Sequence, residues 1–361
     1  MRIAFDVSPL SHPRTGVGNY LLGSLRGLLA AAAGRHEVVA FAPVSAHGSR
    51  LVEEALDGLD VERRLPALPF AHAWRTAWSR VQRPAAERWL GDFDVLHFSD
   101  WMYPPQRAGV RATTIHDLVP LRFPGWTHGR TVRMHAAKYR NAARTAHLLL
   151  CNSEYTANDV HELLGVEHAR IRVAHPGYAD VFRADGERAD LGRPYVLTVA
   201  TLEPRKNLEQ LLAAHALLDG ELALAVAGAE GWGPQPLLDR PGVIRLGYVP
   251  DQELARLYRG ASVFVYPSRF EGFGIPVLEA AASGVPVVAS SHASLDEACG
   301  DAALRADPEN PEEIASAIRE ALRHRDELVA KGLEHAARFS WRRQGEVFLA
   351  AYEETLARIS V

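Results

Sequence analysis

The sequence predicts an α/β protein made of two Rossmann-like, doubly wound parallel-sheet domains in tandem. Three observations carry that reading. The chain has 361 residues, more than one ordinary core holds and enough for two. Short apolar runs alternate with longer amphipathic segments, the mark of parallel strands covered by helices on both faces. The alternation pauses over the polar, glycine-containing residues 178–193 and then restarts.

Taken in order, the first strand runs are residues 2–9, 36–44, 94–99, 111–118, 147–153 and 171–177, with a weaker one near 61–65. Val, Ile, Leu and Phe dominate them, as strands buried on both faces require. Helical segments such as 19–33 fall between them. The second set is 194–200, 222–228, 243–249, 263–268 and 285–291, and the chain reads as helical from Pro311 onward. The domains are placed at 1–185 and 186–340, followed by a helix at 341–361. Ser340 suits its N-cap, and Trp341, Val347, Phe348, Tyr352 and Leu356 give it an apolar stripe.

Composition narrows the function. A net charge of −4 argues against a nucleic-acid partner held by phosphate contacts. No apolar run reaches the ~18 residues that a membrane span needs. Two cysteines, Cys151 and Cys299, exclude a disulfide framework and point to a reducing, cytoplasmic setting. The charge is uneven, net +4 over residues 1–185 and −8 over the rest. That suits an anionic acceptor or membrane surface on the first domain, or is drift of surface charge.

In open parallel sheets, ligands bind beyond the carboxyl ends of the strands, so the loops there matter most. The strongest is Glu271-Gly-Phe-Gly-Ile-Pro-Val-Leu-Glu279. Pro276 suits a first helical turn and Gly284 a helix stop. The free N–H groups of such a helix start offer a phosphate site. Glu279, placed in the first turn and ionised beside the helix dipole, would accept from paired hydroxyls such as a ribose diol. Next is Thr201-Leu-Glu-Pro-Arg205-Lys206-Asn207, where Arg205 and Lys206 form a cation pair for a leaving phosphate. Asn207 with Gln210 resembles a helix N-cap box. The third loop carries Gly16-Val-Gly18-Asn19-Tyr20, but Leu21 stands where a dinucleotide fingerprint needs a third Gly. The fourth is His116-Asp117 at the end of a strand, where an imidazole can serve a sugar hydroxyl.

Other patterns are set aside. Asp92-Phe-Asp94 has the DxD form of metal-dependent transferases but precedes its strand, at the wrong edge. His161, Glu162 and His168 lack the spacing of a zinc helix. No metal site and no cofactor are expected.

Together these loops resemble the retaining family 4 glycosyltransferases of the GT-B fold, in which two Rossmann-like domains face each other across a cleft. The resemblance covers nearly the whole chain. It rests on the E-x7-E of Glu271 and Glu279, the pair Arg205-Lys206, the TGVGNY loop and the strand-end His116. The stretches TIHDLVPL, CNSEYTANDV and RKNLEQLL are similar to the mannosyltransferase-like branch. The resemblance implies sugar contacts from Glu271, backbone contacts from Phe273, Gly274 and Ile275, and ribose binding by Glu279. It implies diphosphate neutralisation by Arg205 and Lys206, Gly16 near the phosphates, and His116 near sugar and acceptor. The base would lie by Tyr248 and Val249. A C-terminal helix returning to the first domain is also implied.

The function expected is retaining, metal-independent transfer of a sugar from a nucleotide-diphosphate donor to a hydroxyl acceptor in glycan or polysaccharide biosynthesis. GDP-mannose is favoured as donor and UDP-sugars stay open. The alternatives are a nucleotide-sugar epimerase of tandem Rossmann type and a non-catalytic nucleotide-sugar binder. The acceptor is a glycan or a lipid-linked molecule. Residues 63–89 bear on this, with Arg63, Arg64, Arg75, Arg80, Arg83 and Arg88 beside Phe70, Trp74, Trp78 and Trp89. Trp74, Trp78 and Val81 share a helical face, which is either an interfacial face for peripheral membrane contact or the inner side of an ordinary amphipathic helix.

Overall fold

The computed structural model describes residues 1–12, 16–68, 78, 83–99, 102–126, 129–231, 233 and 238–360. The chain forms two compact units, Met1–Gly177 with Ser340–Val361, and Tyr178–Phe339. The first division therefore falls at Gly177/Tyr178 and not at 185/186. Tyr178, Val181 and Phe182 pack into the second unit's core, so the polar stretch begins as part of that unit.

The first unit holds a seven-stranded sheet. Its strands are β1 (Arg2–Asp6), β2 (Glu37–Phe41), β3 (Glu62–Arg64), β4 (Val95–Phe98), β5 (Val110–Ile115), β6 (Leu148–Cys151) and β7 (Ile171–Val173). Their order is β3-β2-β1-β4-β5-β6-β7, all parallel. The direction of winding reverses between β1 and β4, which is the topological switch point. The Gly-rich loop is shorter than the sequence suggests, because Gly16 and Gly18 already belong to the helix Gly16–Ala32.

The helix Trp341–Ile359 lies in this first unit. Ser340 caps it by accepting from the N–H of Arg343 at 3.2 Å. Phe348 and Tyr352 are fully buried and Leu356 is partly so, whereas Val347 is 37% exposed and outside the packed stripe. The helix meets Gly16–Ala32 through glycines. A Cβ on Gly27 would lie 1.8 Å from the Trp341 carbonyl oxygen, and one on Gly345 would lie 2.2 Å from that of Gly27. Gln344 closes the contact, accepting from Ser24 at 2.7 Å and donating to the Tyr20 hydroxyl at 2.8 Å.

Of the two readings of the 63–89 segment, Trp78 takes the core one. It is 1% exposed, packs edge-on to Trp89 at 5.3 Å and clusters with Phe41, Leu96 and Met102. Its indole N–H donates to the Pro84 carbonyl at 2.9 Å. Such an anchored indole is a core residue. Phe70, Trp74, Arg75, Arg80 and Val81 lie outside the described residues.

The second unit holds β8 (Tyr195–Val199), β9 (Ala223–Ala227), β10 (Val243–Gly247), β11 (Val263–Tyr266), β12 (Val287–Ser290) and β13 (Ala303–Ala306). Their order is β10-β9-β8-β11-β12-β13, again parallel, with the switch between β8 and β11. The edge strand β13 is absent from the sequence reading, since Ala303-Leu-Arg-Ala306 carries a single large apolar residue. Among the described residues no helix is long and apolar enough to cross a membrane.

Candidate active site

In the second unit the strands on either side of the switch point each deliver one half of a charged cluster. After β8 the chain makes a single 3-10 turn, Pro204–Lys206, that presents Arg205 and Lys206. After β11 it turns at once to Glu271. Asn207 ties the loops together. It does not form the N-cap box, because its backbone is left-handed (φ 59°) and its amide donates elsewhere. The acceptors are the carbonyls of Pro267 at 3.1 Å and Pro308 at 2.6 Å.

The cluster is dense. Arg205 Nη1 and Lys206 Nζ each lie 2.6 Å from a different oxygen of Glu271. Arg205 also grips Glu203 at 2.7 Å and donates to the Phe270 carbonyl at 2.9 Å. The Tyr266 hydroxyl stands 2.9 Å from both Lys206 Nζ and Glu271 Oε1. Ser294 Oγ accepts from the Glu271 N–H at 3.0 Å. Burial alone would raise the Glu271 pKa, but Arg205 and Lys206 outweigh it and hold the carboxylate at about 2. Burial lowers the Lys206 pKa, Arg205 adds to that, and Glu271 opposes it. The cation pair is thus already matched by two carboxylates, a pairing that the sequence reading did not contain.

Glu279 departs from its expected position and charge state. It is the fifth residue of the helix Ile275–Ala282, beyond the first turn. Burial pushes its pKa up to about 8, with help from Asp251 and against the Tyr258 hydroxyl that donates to it at 3.1 Å. Near neutral pH it is largely a protonated carboxyl, which can donate as well as accept. The helix start is as the spacing suggested. Gly274 caps it at φ 104°, where a Cβ would meet Leu295 at 2.6 Å, and Pro276 follows in the first turn. Phe273 turns its ring into the core against Phe339, and Ile275 is partly buried. Tyr248 is 64% exposed just past β10, and Val249 packs partly against the core.

The first unit has its own polar group at its switch point. Asp6 ends β1, and its carboxylate accepts from the N–H groups of Ser8 (2.8 Å) and Ser99 (2.9 Å). Burial still raises its pKa. His116 follows β5 and meets the Tyr20 ring edge-on at 4.5 Å. Both line a small cavity with Asp6, His97, Ser99 and Thr114. Buried His97 bridges Tyr352 (2.5 Å) and Thr114 (3.0 Å), and burial followed by repulsion from His116 drops its pKa to about 3. Gly16 is exposed at the start of its helix. Asp94 of the DxD pattern accepts from the Arg2 N–H at 2.7 Å.

Sequence reasoning missed Glu203, Tyr266, Ser294, Asp6 and Ser99. The signal was present for Glu203, Tyr266, Asp6 and Ser99, which lie at or within a few residues of the carboxyl end of a strand at a switch point, whereas Ser294 follows β12 away from it.

Two doubly wound parallel sheets with a charge cluster at the switch point of the second define the GT-B class of glycosyltransferases. Residues 14–180 match the family described as Glycosyltransferase Family 4, and residues 183–339 match Glycosyl transferases group 1. The chain is 32% identical to O-antigen chain mannosyltransferase B of Escherichia coli, over 94% of this chain and 96% of that protein. It is 29% identical to D-inositol 3-phosphate glycosyltransferase of Mycolicibacterium smegmatis, over 98% and 91%. Among solved structures, sucrose-phosphate synthase of Thermosynechococcus elongatus shares the fold at a TM-score of 0.72 and 18% identity, covering 99% of both chains. The protein belongs to the family 4 glycosyltransferases and is a glycosyltransferase of glycan biosynthesis. That membership sets the epimerase reading aside.

Proposed function

We propose that the protein transfers a hexose, with mannose favoured, from a nucleotide-diphosphate sugar to a hydroxyl acceptor, with retention and without a metal. The observation that carries this is the buried Arg205–Lys206–Glu271 cluster, joined by a short loop to the helix start at Ile275. Breaking the bond between the sugar C1 and the diphosphate oxygen leaves negative charge on the diphosphate. Two cations and a helix N-terminus can take it up without a metal. They share themselves between Glu271 and the leaving group, so Glu271 is freed to contact the sugar hydroxyls. The acceptor oxygen bonds to C1 on the same face, and its proton passes to the departing phosphate oxygen. His116 is assigned to the acceptor side and Glu279 to the ribose. The name of the 32% identical relative supports mannose as the sugar, and GDP-mannose is the donor that the family resemblance favours.

The test is turnover by Arg205→Ala and Lys206→Ala with a panel of nucleotide sugars. Loss of a preorganised charge stabiliser should lower kcat by roughly a hundredfold or more, with donor affinity changed less. Near-wild-type kcat in both variants would remove the diphosphate assignment. Activity should also persist in chelator; abolition with rescue by manganese would remove the metal-free step.

A further inference from the structure

At the amino edge of the first unit's sheet, away from the carboxyl edge that carries His116, lies a cavity of about 550 Å³. The 105–109 turn, the start of β5 and the last turn of the helix Gly129–Thr145 form it. Arg107, Arg111, Arg144, Asn141, Thr145 and His147 line it.

Its charge is unbalanced. Arg111 is only 9% exposed, yet its guanidinium meets no carboxylate among the described residues. It donates to the Pro104 carbonyl and to Thr145 Oγ1 (3.3 Å), and sits 4.5 Å over the Phe98 ring. A cation this deep without a counter-charge is costly. Burial drops its pKa to about 10, so it remains charged near neutral pH. Arg144 touches only the Asn141 side-chain oxygen (3.3 Å), and the guanidinium of Arg107 makes no ion pair among the described residues. The Glu87 carboxylate, which does not line the cavity, accepts from the Arg107 main-chain N–H at 2.5 Å.

The helix end does not supply the missing charge. It offers about half an elementary negative charge, and Arg170 already caps it by donating to the Ala143 and Ala146 carbonyls. His147 accepts from the Arg111 N–H at 3.1 Å through Nδ1, which leaves the proton on Nε2 as a donor. Burial and the repulsion of Arg111, Arg170 and Arg358 keep its ring neutral. The wall thus presents three guanidinium groups, the amides of Asn141 and Gln106, and an imidazole N–H.

We propose that this cavity binds a phosphate group carrying about two negative charges, at a site separate from sugar transfer. Planar forks around a compact tetrahedral oxyanion are the arrangement that arginine favours. The group belongs either to a soluble phosphorylated molecule or to a phospholipid headgroup.

Inorganic pyrophosphate, titrated by calorimetry into the full chain, tests the site. The background carries Arg205→Ala with Lys206→Ala, which removes both side-chain cations of the diphosphate position proposed above, so binding that persists there and depends on Arg107 and Arg144 reports this site whether or not that reading holds. Adding Arg107→Glu with Arg144→Glu should weaken binding roughly tenfold to a hundredfold. Arg107→Lys with Arg144→Lys should retain most of it. Reversing Arg338 and Arg342, exposed elsewhere, should leave it unchanged. No pyrophosphate binding by the parent, or equal binding once Arg107 and Arg144 are both reversed in charge, overturns the proposal. Vesicles of phosphatidic acid in phosphatidylcholine, against phosphatidylcholine alone, then separate the two sources. Salt-sensitive co-sedimentation with the anionic lipid alone, lost in the double reversal, assigns a headgroup. Pyrophosphate binding without vesicle binding assigns a soluble ligand.

Discussion

Replacing Glu271 by Gln keeps the shape of the cluster and removes one charge. In the native protein that carboxylate stands 2.6 Å from both Arg205 and Lys206 and is 6% exposed. Its pKa is about 2 when folded, against an ordinary value of 4.5. A depressed folded pKa means stability that is present above the unfolded value and lost as pH falls through the folded one. The difference corresponds to about 3 kcal/mol at pH 7. Breaking a buried pair on one side costs a similar ~3–5 kcal/mol, because the cations are left without a partner. Urea unfolding of wild type and Glu271→Gln should therefore differ by about 3 kcal/mol at pH 7. The gap should shrink to about half by pH 3, because below 4.5 the unfolded carboxyl takes up a proton while the native one stays mostly ionised beside its two cations. A gap below about 1 kcal/mol, or one independent of pH, would refute the reasoning that Arg205 and Lys206 hold this carboxylate ionised.

Glu279 gives the opposite sign. Its folded pKa near 8 means that it opposes folding as pH rises from the unfolded value through 8. Glu279→Gln should raise the Tm at pH 8 and leave it little changed at pH 4, while weakening nucleoside diphosphate in a binding titration; a variant less stable at pH 8 would contradict the burial argument. Tyr266→Phe removes the hydroxyl shared by Lys206 and Glu271. It should cost about 1–3 kcal/mol in urea unfolding and lower kcat with a shifted pH profile, and an unchanged profile would restrict Tyr266 to packing. Gly345→Ala forces a methyl against the Gly27 carbonyl and should cost about 3 kcal/mol or more; a Tm equal to wild type would show that the two helices can part without loss.

The strands were legible wherever Val, Ile, Leu or Phe filled both faces, as in β4, β6 and β11. β13 was not, because Arg305 sits within it and donates to the Ser290 and His292 carbonyls instead of packing. The loops of the site were legible from Gly and Pro at strand ends. The pairing of Glu271 with Arg205 and Lys206 was not, because about 65 residues separate the partners and only the strand order brings β8 beside β11. Glu279 misled for a related reason. Helix position favours its ionised form, but the neighbours that strip it of water come from elsewhere in the chain. Trp78 was ambiguous because an interfacial face and a core face have the same periodicity, and only the partner in space decides.

The return of the helix Trp341–Ile359 to the first unit sets an order of events on the ribosome. Gly177 and Trp341 are in contact, so the chain leaves the first unit and re-enters it at one place. The second unit is continuous and is made whole before that helix emerges, so it can fold as soon as it clears the exit tunnel. The first unit has no such freedom. Although its sheet is synthesised first, Phe348 and Tyr352 are missing from its core, His97 lacks Tyr352 and Tyr20 lacks Gln344, until well over a hundred further residues have been added. The half of the molecule made earliest is thus the half completed last, and during that interval its apolar helix face is the surface a chaperone would meet.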